Sequence, residues 1–293
     1  NALGNDAKNL GVQLGIGGEQ AAGLMANLAQ GGVAVKDLDR VSRIAGKMGV
    51  AFGISGDMAG ESFVKTKNAL GGTIKDTESL MDAVNYLGNT YSSESDQVLT
   101  FLASGGSGVA RALNVSGETL AGFGAQLISV GNSAEESATI MEKFQRVTSQ
   151  DKDVKKIFRG AGEGAEGMLA VIRKGTELSG DAQDKYFAKF GNFSATIKLM
   201  ASTYDDLAEK VTNSNDKMLI AGSVQAEFDN RTKTTAFQIG VMKAQITNLA
   251  IKVGNALLPV IKNLLEEVSP MVQKFSEWAQ QNKVTVSTIV KVT

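Results

Sequence analysis

Gly240 to Asn282 reads GVMKAQITNLAIKVGNALLPVIKNLLEEVSPMVQKFSEWAQQN, and the spacing of its apolar residues decides the fold. Met242, Ile246, Leu249, Val253, Leu257, Ile261, Leu264, Val268, Met271, Phe275 and Trp278 follow one another at steps of three and four residues. That is the period of one face of an α-helix. Lys243, Lys252, Lys262, Glu266, Glu267, Lys274 and Glu277 fill the positions between. The steps alternate 3 and 4 from Ile239 to Val253, run 4 and 4 through Leu257 to Ile261, then alternate again. One inserted four-residue step is a stutter, which locally unwinds a coiled coil. Gly254 and Pro259 lie at the stutter, and Pro270 follows. These three are the candidate hinges, because a proline removes one helix hydrogen bond and kinks the rod.

A stripe this long must be covered by something, and the upstream chain offers a partner. Two prolines among 293 residues permit long helices, while 33 glycines cluster between periodic segments. Gly31-Gly32, Gly71-Gly72 and Gly131 each follow a run of helical spacing, where glycine closes a helix in the left-handed region. Polar caps open the next helices: Ser55, Ser116, the Ser92 to Asp96 cluster, and Ser133 with Glu136 three residues on. The expected class is therefore all-α. Many short helices joined by glycine-rich turns precede one long, amphipathic, kinked C-terminal helix.

The charged run Asp151 to Arg159 is the expected internal boundary. It gives a helical domain over 1–150, a helical connection over 151–214, and the long helix with the start of a further segment over 215–293. The long helix is expected to begin near Asn215 or Asp216, with a break near Gly222 or Asn230, and would reach ~100 Å if continuous. Val284 to Thr293 reads as that further segment, and the chain as a piece of a longer protein. The upstream helices are the favoured cover for the stripe; other copies of the chain are the alternative. Trp278 and Phe275 are read equally as interface anchors or as ordinary packing.

Composition narrows the chemistry. Hydrophobic residues are 43% and charged residues 21%, as in a folded chain. Thirty basic and 31 acidic residues leave a formal charge of −1, so there is no overall basic field for specific nucleic-acid binding. Neither cysteine nor histidine occurs, which removes thiolate chemistry, the usual neutral-pH base and the commonest metal ligand. Gly162 to Gly167 matches G-x-G-x-x-G, yet Glu163 and Glu166 would repel a pyrophosphate and no strand is expected before it, so it reads as a turn. Gly105 to Gly108 lacks the Lys-Ser/Thr of a phosphate loop and reads as a loop. Asp151, Asp153 and Glu163 do not follow calcium-loop spacing. Asp205-Asp206 and Glu266-Glu267 are adjacent in helices and diverge by about 100°. No catalytic, metal or cofactor residue is expected. No uninterrupted apolar run approaches the length of a membrane span.

Several segments in order resemble the core domain of phage tail tape measure proteins: Asp82 to Asn89, Ser92 to Leu102, Gly105 to Ala112, Asn114 to Ala121 and Gly131 to Ala138. Upstream, Leu14 to Glu19, Gly32-Val33 and Ala45 to Gly53 are similar to that domain's earlier helices. Downstream, Tyr186 to Ser194, Tyr204 to Asp216 and Leu249 to Pro259 also match, with Gly254 and Pro259 in place. Thr139 to Phe144 departs from the usual Gly-Thr-x-Leu-Arg pattern. The resemblance implies a structural protein and no enzyme. It would scaffold tail tube assembly, set tail length, and leave during genome ejection. Its implied partners are the tail tube protein, the baseplate or tail-tip hub proteins and the tail assembly chaperones. It also implies several copies per tail, with a trimer the expected homo-oligomer, and host membrane contact during ejection. Its place would be the tail lumen of the virion, after assembly in the host cytoplasm. The competing reading of the stripe is a helical binding or membrane-active module.

Overall fold

In the computed structural model, which describes residues 2–281, capping side chains and glycines cut the first part of the chain into short helices. Ser55 Oγ accepts from the amide of Met58, Ser116 Oγ from Thr119 and Ser133 Oγ from Glu136, at 3.3, 3.0 and 3.1 Å. Thr73 and Asp76 close a reciprocal capping box. The helices so begun are α1 (Ala2–Gln13), α2 (Gly18–Gln30), α3 (Val35–Phe52), α4 (Gly56–Leu70), α5 (Ile74–Thr90), α6 (Ser95–Phe101), α7 (Ser107–Leu113), α8 (Gly117–Ser129) and α9 (Ala134–Gln150). Then follow α10 (Lys152–Gly160), α11 (Gly164–Thr176), α12 (Gly180–Ala188), α13 (Ser194–Ser202), α14 (Tyr204–Asn215), α15 (Lys217–Ile220), α16 (Ser223–Thr232) and α17 (Thr235–Gln281). No strand occurs among the described residues. The all-α architecture with its long last helix is as the sequence reads. Val284 to Thr293, read above as a further segment, lies outside the described residues.

Three local expectations are corrected. The Ser92 to Asp96 cluster places Glu94 at the N-cap of α6 with no side-chain cap, and Ser93 is buried instead. Gly105 to Gly108 is no extended loop: a tight kink over Leu102–Gly106, with Gly105 outside helical dihedrals, joins α6 to α7. Glycine makes that kink feasible: Gly105 has φ 133°, and a Cβ on Gly106 would sit 2.9 Å from the carbonyl oxygen of Phe101. The long helix starts at Thr235 rather than near Asn215 or Asp216, while the break expected near Gly222 is present, at φ 74° between α15 and α16. The G-x-G-x-x-G stretch is the turn expected. Gly162 and Glu163 have positive φ between α10 and α11, Gly164, also at positive φ, opens α11, and no strand precedes them.

The described residues fall into two units, 1–242 and from Lys243 onward. In the first, α8 is the centre. Every residue from Gly117 to Ile128 is buried, so this helix is enclosed on all sides. α14 crosses it at close range, since a Cβ on Gly122 would lie 2.9 Å from Cα of Val211. Phe123 of α8 meets Phe144 of α9 at 6.1 Å between ring centroids, and Phe144 meets Phe190 at 5.9 Å. The core thus runs unbroken across Asp151. That residue caps α10 through the amides of Asp153 and Val154 and binds Lys189 at 2.8 Å. The hydrogen bond from Lys189 is the main influence holding the Asp151 carboxyl below its usual range.

Candidate interface helix

α17 is 47 residues long, about 70 Å at 1.5 Å per residue. It stays helical through Gly254, Pro259 and Pro270, with a slight bend. Taking Leu257 as the origin and 100° per residue, Pro259 and Pro270 lie about 200° and 220° around the helix, opposite the stripe. The carbonyls that lose their partners belong to Asn255 and Glu266, which fall on the same polar side. A bend there follows the usual rule that helices curve with the solvated side convex.

Every stripe residue whose side chain is described is 41 to 68% exposed: Met242, Ile246, Leu249, Val253, Leu257, Ile261, Leu264, Val268, Met271 and Trp278. The Phe275 side chain lies outside the described residues. A second apolar row runs beside the first at an interval of seven: Ile251, Leu258, Leu265 and Val272, 39 to 63% exposed. Counting a single seam passes over this row, although its seven-residue repeat is plain in the sequence. In heptad terms Ile261 and Val268 take position a, Leu264 and Met271 position d, and Leu265 and Val272 position e. An a/d/e face is wider than the a/d seam of a two-stranded coil and suits a helix in a bundle. Lys262 and Glu266 pair at 3.9 Å outside this face. Among the described residues α17 is also the one helix long and apolar enough to cross a membrane, with a best mean hydropathy of 1.2. Lys252, Lys262 and the glutamates interrupt the uninterrupted runs, but the average over a whole helix meets the length and composition requirement.

The body contains several cavities. One of about 610 Å³ is lined by Gln183, Lys198, Thr203, Asp205 and Asp206, with both aspartates exposed. Lys198 is engaged by Asp184 at 3.0 Å. Asp151 and Asp153 bind Lys189, and Glu163 pairs with Arg159. Asp151 and Asp153 thus bind the start of α10 to Lys189 beyond α12, while the Glu163 pair is local, four residues from Arg159.

A family model described as phage-related minor tail protein matches residues 4–244. A probable tape measure protein of Halomonas phage phiHAP-1 (isolate -/Gulf of Mexico/-/2001) is 22% identical over 259 residues, covering 82% of this chain and 30% of the relative. The chain therefore spans about a third of that relative's length. No solved structure matches.

Proposed function

The chain belongs to the phage-related minor tail protein family, a structural component of the phage tail, and from that premise we propose that it serves as part of a tape measure. In this reading the protein scaffolds tail tube assembly and sets tail length by the length of its helical rod. It occupies the tube lumen and is released during genome ejection. The observation that carries the reading is the apolar face of α17, exposed from Met242 to Trp278, about 54 Å of helix, and widened to a/d/e over its middle. A rod of that kind converts residue number into distance, at 1.5 Å per residue.

The face also directs the partners. A width beyond a two-stranded seam favours a homo-oligomer of three or more helices, and a trimer is the simplest. Tail tube protein, tail-tip hub or baseplate proteins and assembly chaperones complete the set, and assembly takes place in the host cytoplasm. The role needs no enzymatic step. Gly254, Pro259 and Pro270 act as hinges that let the rod follow its partners without exposing the seam. A second reading is favoured by the hydropathy of α17: insertion into the host membrane once the protein has left the tail.

Removing the gene should leave phage heads without finished tails of defined length, seen by electron microscopy of lysates. Tails of normal, uniform length in its absence would refute the structural role. Release of dye from vesicles by the isolated chain would support the membrane step, and intact vesicles would count against it.

A further inference from the structure

From Asp216 to Met242 a single side chain, Ile220, is buried. This segment contains α15, α16 and the first turns of α17, and it lies across the surface of α5, α3 and the α1–α2 turn. Polar bonds to side chains far away in sequence hold most of it. Lys217 Nζ donates to Ser79 Oγ at 2.8 Å and to Glu118 Oε1. Both oxygens of the Asp82 carboxylate accept backbone amides, from Gly222 at 3.0 Å and Val224 at 2.9 Å. Asn85 Nδ2 donates to Ser223 O and Oγ at 3.0 and 2.8 Å. Lys47 Nζ donates to Gln225 Oε1 at 2.7 Å and lies 5.7 Å from the Phe228 ring centroid. Phe228 meets Phe237 edge-on at 6.0 Å, and Phe237 rests on Gly15. Gly240 approaches Gly15 so closely that a Cβ would lie on its carbonyl oxygen.

The packing beneath is incomplete. A space of about 230 Å³ remains between the segment and the body, lined by Arg40, Arg43, Lys47, Glu78, Met81 and Asp82 among others. A stretch with few buried side chains, held by polar bonds that are exposed at Lys47, Lys217 and Gly222 and part-buried at Asn85 and Val224, sits towards the low end of local stability. We propose that residues 216–242 form a detachable strap, closed over α5, α3 and the α1–α2 turn here, that opens as one unit while the body stays folded.

Asp216 and Gly222 are the hinge positions. Asp216 ends α14 and caps α15 through the amides of Met218 and Leu219, and Gly222 turns the chain at φ 74°. Opening moves the start of α17 off the α1–α2 turn and leaves a link of ~20 residues, able to span ~60 Å when extended. It also uncovers Asp82 and Asn85 on α5. This behaviour belongs to the first unit alone and does not depend on the tape-measure reading.

The chain has no cysteine, so one introduced thiol reports one place. In native buffer Ile220→Cys should react with a thiol reagent ~100-fold faster than Leu127→Cys in α8. Adding Asp82→Ala and Asn85→Ala should speed the first reaction ~10-fold and leave the second unchanged. Hydrogen exchange of the unsubstituted chain decides the matter if either cysteine variant fails to fold. Peptides from 217–242 should exchange together, well ahead of α8 but with measurable protection. Exchange as slow as that of α8 would overturn the strap, and so would exchange with no protection at all.

Discussion

Phe144→Ala should lower the stability of the 1–242 unit by ~3–5 kcal/mol, the range for deleting a buried phenyl ring. Phe144 is fully buried, and its ring lies between Phe123 of α8 and Phe190 beyond α12. It therefore joins the helices before Asp151 to those after it. Removing the ring opens a cavity at the junction and also forfeits the two aromatic contacts. Phe123 cannot move in to fill it, because α8 is enclosed on every side and held close to Val211 by Gly122. Chemical denaturation should show one transition shifted to lower denaturant with its slope kept. A shift below ~1 kcal/mol would mean that the junction packs otherwise than described.

Leu257→Lys with Leu264→Lys should abolish self-association through α17. Burying a leucine contributes ~1.5–3 kcal/mol, so replacing two with solvated charges should weaken association by at least ~10²-fold. Both residues lie on the exposed seam, at 50 and 59% exposure, so the fold of the first unit should be untouched. Sedimentation velocity reads the result directly: an oligomer for the parent chain and a monomer for the double variant. Glu266→Lys on the polar side is the control and should leave the oligomer in place. A parent chain that stays monomeric at high concentration, or a double variant that assembles like it, would contradict the interface.

Much of this architecture is legible in residue patterns. Ser55, Ser116 and Ser133 mark helix starts because a cap is a local interaction between residues three apart. The a/d seam is legible for a similar reason, as helical periodicity needs no knowledge of the partner. What escapes is set from a distance. A break near Gly222 is legible, but the late start of α17 at Thr235 is not: Asp82 and Asn85 hold the 222–224 turn through amide and carbonyl groups roughly 140 positions later in the chain. The tight kink at Leu102–Gly106 escapes because two adjacent glycines read as a loop, whereas here they let backbone come close to Phe101. Ser93 looks like a cap and is buried, since tertiary packing shifts the start of α6 to Ser95. The second apolar row of α17 was readable all along, and it widens the candidate interface from a seam to a face.

The ruler itself is tested most directly by changing the length of α17 within the whole tail protein. Asn255 to Phe275 is three heptads, so repeating it preserves the a/d/e face and adds about 32 Å per copy. Tails built with one, two and four added copies should lengthen along a line of about 1.5 Å per residue, measured by electron microscopy. Tails of unchanged length across the series, with the protein present in the virion, would contradict the account.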